Sequence, residues 1–98
     1  MNQMKPLVYD QKLFTLPANQ TDYSVATNQA TLFNNVPFAK NVVIFHNKQI
    51  SIRFNSALMP LAILPISRSP FQSPVRFLEV NDILLTNTDE ATLEIWLW

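Results

Sequence analysis

Apolar and polar positions alternate along much of this chain with a period of two, the signature of strands with one face turned to a core. The C-terminal run Ala91–Trp98 is the clearest case. Leu93, Ile95 and Leu97 fall on one face, and Thr92, Glu94, Trp96 and Trp98 on the other. Ile50–Phe54 repeats the rule, with Ile50, Ile52 and Phe54 inward and Ser51 and Arg53 outward. Asn41–His46 is β-branched and aromatic, as suits a pleated surface. It is apolar on both faces, which predicts cover on both sides. Phe77–Val80 and Ile83–Thr86 are further strands, with Asn81-Asp82 as a bulge or tight break between them.

The breaks are spaced as in an all-β fold. Asn47-Lys48-Gln49 reads as a three-residue hairpin, with Asn47 the natural occupant of its left-handed position. Asn87–Glu90 joins the last two strands. The segment Ser67–Pro74 reads as an extended loop or edge, because each Pro turns its predecessor away from helix. A helix over residues 56–64 would carry Pro60 in its middle. In the N-terminal third, residues 13–17, 22–25 and 31–33 read as short strands, with a turn over 27–30. Residues 1–12 lack a clean period and read as an extended arm before a single β-sandwich domain, 13–98. About eight short strands predict an all-β, antiparallel two-sheet β-sandwich, jelly-roll-like, with little helix. Its inward positions include Ile44, Ile50, Ile52, Phe54, Ile83, Leu85, Leu93, Ile95 and Leu97.

Composition narrows the chemistry. Of the 98 residues 48% are hydrophobic, which is material for one core, and only 14% are charged. Seven Lys and Arg balance seven Asp and Glu, so the basic excess of a nucleic-acid binder is absent. With no Cys, thiolate catalysis, disulfides and cysteine-ligated metal are excluded. With no Gly, glycine-dependent phosphate loops are excluded as well. The N-terminus MNQMKPLVYDQKLF has no apolar core of a signal peptide, so none is expected. The richest apolar run, Ala57–Ile66, is too short for a membrane span and holds two prolines. Asn19-Gln20-Thr21 has the form of a glycosylation sequon, which without a secretory signal is read as chance.

Candidate catalytic or metal-binding residues are sparse. His46 is the one histidine, placed at a strand end; metal sites need several ligands, so a structural or surface role is expected. Glu79 with Asp82, and Asp89 with Glu90, are pairs of acids at breaks, where carboxylates usually bond backbone N–H groups. No serine lies in a nucleophile-elbow pattern. No catalytic residue, cofactor or metal is therefore expected.

The outer faces are more informative. Most phenylalanines are expected in the core. Val43 and Phe45 oppose Val42, Ile44 and His46, while Trp96 and Trp98 oppose Leu93, Ile95 and Leu97. A sandwich strand needs one apolar face for its own core; a second predicts a partner subunit or the chain's own residues 1–12 folded back. Val43, Phe45, Trp96 and Trp98 are the candidate subunit interface. Few charges and zero net charge favour association, and a homo-oligomer is expected.

The order of elements in the last ~58 residues carries a resemblance. Asn41–His46 is followed by Ile50–Asn55, the Pro-containing link Leu64-Pro65-Ile66, Val80–Asn87 and the closing Thr92–Leu97. This order resembles the small β-sandwich virion proteins of tailed bacteriophages, found as capsid decoration, head-fibre or tail accessory proteins. Such proteins usually place Gly in their turns; this chain has none. The resemblance implies a non-enzymatic structural protein of the virion, assembled in the host cytoplasm. It implies an oligomer, expected as a trimer or higher ring, that binds other virion proteins; the balanced charge and the lack of a long apolar run leave neither nucleic acid nor membrane expected as a partner. A carbohydrate- or receptor-binding module on a phage tail or fibre is the alternative, using exposed Trp or Tyr beside Asn, Asp and Gln.

Overall fold

The computed structural model describes residues 8–74 and 79–98. Eight strands follow one another: β1 (Asp10–Leu16), β2 (Tyr23–Ser24), β3 (Asn41–His46), β4 (Ile50–Phe54), β5 (Ala62–Leu64), β6 (Phe71–Pro74), β7 (Ile83–Thr86) and β8 (Ala91–Leu97). A four-residue helix, α1 (Val25–Asn28), follows β2, and a 3-10 turn (Ile66–Arg68) precedes β6. The strands form two antiparallel four-stranded sheets, ordered β1-β8-β3-β6 and β2-β7-β4-β5. They make a β-sandwich. The pairing is nested: β1 with β8, β2 with β7, β3 with β6 and β4 with β5, as if one long hairpin were folded across two layers.

The core lies between the sheets and follows the period-two reading. Ile44, Ile83, Leu85, Leu93, Ile95 and Leu97 are fully buried, and Ile50 and Ile52 nearly so. Phe54 is half-buried against this cluster, its ring 6.3 Å from that of Phe71. In β7 the outward Leu84 is buried as well, between its register partners Ser24 and Arg53. The phenylalanines divide: Phe14 is buried, Phe33, Phe54 and Phe71 are half-buried against the core, and Phe38 and Phe45 are exposed.

The structure corrects several expectations. The first strand starts at Asp10, not Leu13, so residues 10–12 of the expected arm belong to the sheet; residues 1–7 lie outside the described part. Residues 31–33 form a turn rather than a strand. Asp10 explains this: its buried carboxylate accepts from Asn35 N at 3.0 Å, Asn35 Nδ2 at 3.0 Å and Val36 N at 2.9 Å. Those donors hold the 31–36 segment to β1 as a loop. Residues 62–64 are a strand at the edge of the second sheet, and residues 71–74 are an edge strand of the first, in line with the extended-edge reading of 67–74; short length and Pro are tolerated at such edges. Phe77 and Leu78 lie outside the described residues, and Val80 makes one isolated bridge to Ala39.

The link Asn47–Gln49 is not a hairpin. β3 and β4 belong to different sheets, so the link crosses the edge of the sandwich. Asn47 is not among the residues with positive φ; instead its Oδ1 accepts from Thr92 N at 2.8 Å. Positive φ occurs at Asn19, Asp22, Phe33 and Asn55. In a chain without Gly, Asn and Asp take most of these positions, because their short polar side chains tolerate the left-handed region.

Candidate association face

The outer face of the β1-β8-β3-β6 sheet collects the expected interface residues. β8 runs between β1 and β3, and register places Trp96 beside Val43 on one side and Gln11 on the other. The next row along the strands is Leu13, Glu94 and Phe45. Trp98 follows β8, where its backbone exchanges hydrogen bonds with Asn41. Val43, Phe45, Trp96 and Trp98 therefore share one surface.

Two residues join them that alternation alone does not single out. Tyr9 stacks on Trp96, with ring centroids 5.4 Å apart and planes 22° from parallel. Leu13 is 63% exposed beside Glu94. Both become legible only with the first strand extended to Asp10, which fixes the parity of residues 9–15. The second cover expected over β3 is not supplied by the described residues: Phe45 is 43% exposed. Tyr9, just before β1, covers part of this face, while Phe45 and Trp98 stay open.

At the middle of the face sits Glu94. Its Oε2 accepts from Gln11 Nε2 at 2.8 Å and from Trp96 Nε1 at 3.1 Å. These bonds fix the position of the Trp96 indole on the face. Beyond Phe45, a shallow open depression is lined by Leu13, Phe45, His46, Asn47, Thr92 and Glu94.

Two of the titratable groups considered for chemistry, His46 and Asp82, are tied into the scaffold. His46 is buried, and its Nδ1 lies 2.9 Å from Lys48 O, which sets the ring proton on Nδ1. Asp82 serves the backbone as the turn reading expects. Its Oδ1 accepts from Ala26 N at 2.9 Å and Ile83 N at 2.8 Å, and its Oδ2 accepts from Ser24 Oγ at 2.6 Å. Glu79, Asp89 and Glu90 are exposed. Among the described residues, no three His, Asp or Glu side chains come together as a metal site, and no helix is long and apolar enough to cross a membrane.

A second apolar surface lies outside the sequence expectation. Leu58, Leu61, Ile63 and Ile66 are 95%, 44%, 62% and 58% exposed. They run along the β5 edge of the other sheet, where Leu61 and Ile63 point out of the sandwich. The signal is present as the apolar, uncharged run 57–66, but periodicity over so few residues does not separate core from surface. Comparisons with protein-family models, with curated proteins and with solved structures yield no match to this chain.

Proposed function

We propose that this chain is a non-enzymatic structural subunit of a bacteriophage particle that self-associates through the outer face of its β1-β8-β3-β6 sheet. The observation that carries the self-association is the gathering of exposed Tyr9, Leu13, Phe45 and Trp98 around half-buried Val43 and Trp96 on one outer sheet face. Contiguous aromatic and aliphatic surface of this kind marks interaction sites, and Trp and Tyr are enriched among residues that dominate interfaces. The nested strand pairing supports a jelly-roll winding, an architecture used by capsid and lectin domains. The virion assignment rests on the order of elements in the last ~58 residues of the sequence.

Light scattering tests the self-association. The wild type is expected as an oligomer, a trimer or higher ring, at micromolar concentration. Trp96→Ala with Trp98→Ala is expected to lower the mass, since each buried Trp contributes on the order of 2–4 kcal/mol at a well-packed interface. A monomeric wild type contradicts the proposal. Mass spectrometry of purified phage particles from cells carrying the gene tests the virion role; absence of the chain from the particles contradicts it.

A second reading has its own observation. The Tyr9–Trp96 stack lies beside Gln11 and Glu94, and an aromatic platform with adjacent amide and carboxylate suits a sugar. Glycan-array binding that is lost in Trp96→Ala favours this carbohydrate- or receptor-binding module.

A further inference from the structure

The two exposed apolar surfaces lie on opposite sides of the sandwich. The face built around Trp96 is the outer side of one sheet, and the Leu58–Ile66 ridge flanks the outer side of the other. Each has a distinct charge. Glu94 is the charged side chain at the middle of the first, and no cation pairs with it among the described residues. On the second sheet, Arg53 is already matched to Asp22, with Nε 3.3 Å from Oδ1, and its Nη1 donates to Ala57 O and Met59 O. Arg68, exposed at the end of the ridge, has no ion-pair partner among the described residues.

A two-fold contact of the Trp96 face with itself, with its axis at the central Glu94, would bring Glu94 against Glu94. Like charges juxtaposed across an interface repel, and a buried unpaired carboxylate adds a desolvation penalty to that repulsion. A contact between unlike faces avoids both. We infer that the Leu58–Ile66 ridge of one copy docks on the Trp96 face of the next, with Arg68 supplying the cation for Glu94. The occupant of the ridge is thus a second copy of this chain. Such head-to-tail contacts close into a ring where the rotation between copies permits, and otherwise extend as a filament. The inference rests on the self-association proposed above and specifies its geometry.

Mixing two surface variants tests it. Phe45→Asp spoils the Trp96 face and Ile63→Glu spoils the ridge; both sites are exposed, and circular dichroism melting checks that each variant folds. The inference predicts that each alone is monomeric and that an equimolar mixture forms a one-to-one dimer, because each copy retains one sound face. Ile63→Glu that keeps the wild-type mass, or a mixture that stays monomeric, overturns the head-to-tail contact. An oligomeric wild type with either of these results leaves self-association standing; a monomeric wild type removes both. A charge exchange gives an independent reading. Arg68→Glu is expected to weaken association by about tenfold or more, and Arg68→Glu with Glu94→Arg to restore it. An Arg68→Glu variant that associates like the wild type overturns the role of the pair.

Discussion

Asn55 illustrates how single residues replace glycine in this chain. Its φ of 70° puts it in the left-handed region at the end of β4. Its side chain then spans to the segment before β7: Oδ1 accepts from Asn81 N at 2.8 Å, and Nδ2 donates to Glu79 O at 3.0 Å. Asn55→Ala removes both bonds and the short polar side chain that makes positive φ tolerable, so a loss of about 2–3 kcal/mol is expected from denaturant unfolding. Asn55→Gly relieves the backbone but loses the bonds, and the expected loss is smaller, about 1 kcal/mol. Equal effects of the two variants would show that φ at this position contributes nothing. Asn47 makes the contrasting case. With its side chain on Thr92 N and no positive φ, Asn47→Gly gains nothing from glycine's freedom. Asn47→Gly and Asn47→Ala are expected to lose about 1 kcal/mol each in the same unfolding measurement. A stabilised Asn47→Gly would return Asn47 to a left-handed turn.

At the scale of elements, β4 and β8 are legible in the sequence because apolar residues recur at alternate positions, and β3 and β7 because each is a run of β-branched, leucine or aromatic residues. The face between the sheets can be read from the same alternation: Ile44, Ile52, Leu85 and Ile95 point into it, while Glu94 and Trp96, on either side of Ile95, point away. β5 is not legible, since its three residues, within the four between Pro60 and Pro65, are too few to display a period. Nor is the crossing at 47–49, because a link of that length serves a hairpin and a sheet-to-sheet crossing equally well; which one forms depends on the partners of β3 and β4 far along the chain. Residues 31–33 have the composition of a strand, but the bonds that Asp10 draws from Asn35 and Val36 win over that local preference. Asp10→Ala leaves those backbone donors without their buried acceptor. A loss of about 2–4 kcal/mol is expected, with hydrogen exchange accelerated first in residues 31–36. Uniform acceleration across the sandwich would show that Asp10 does not act on this loop in particular.

For the whole molecule, the central point is the division of apolar surface. One set of side chains fills the space between the sheets, and a second set lies outside it. Within the candidate face, Val43, Phe45, Trp96 and Trp98 are legible as apolar residues on strands whose other face already serves the core. Tyr9 and Leu13 follow only from the full extent of β1, and the Leu58–Ile66 ridge only from the position of β5 at a sheet edge. Self-association as proposed requires the Trp96 face to be covered by another copy in solution. Both tryptophans of the chain lie on that face, so their fluorescence reports on it directly. Acrylamide quenching should be measured across a concentration series alongside the mass. Quenching is predicted to fall as the mass rises, because the indoles become shielded between copies. A mass that rises while quenching stays constant would place the contact elsewhere and contradict an interface built on Trp96.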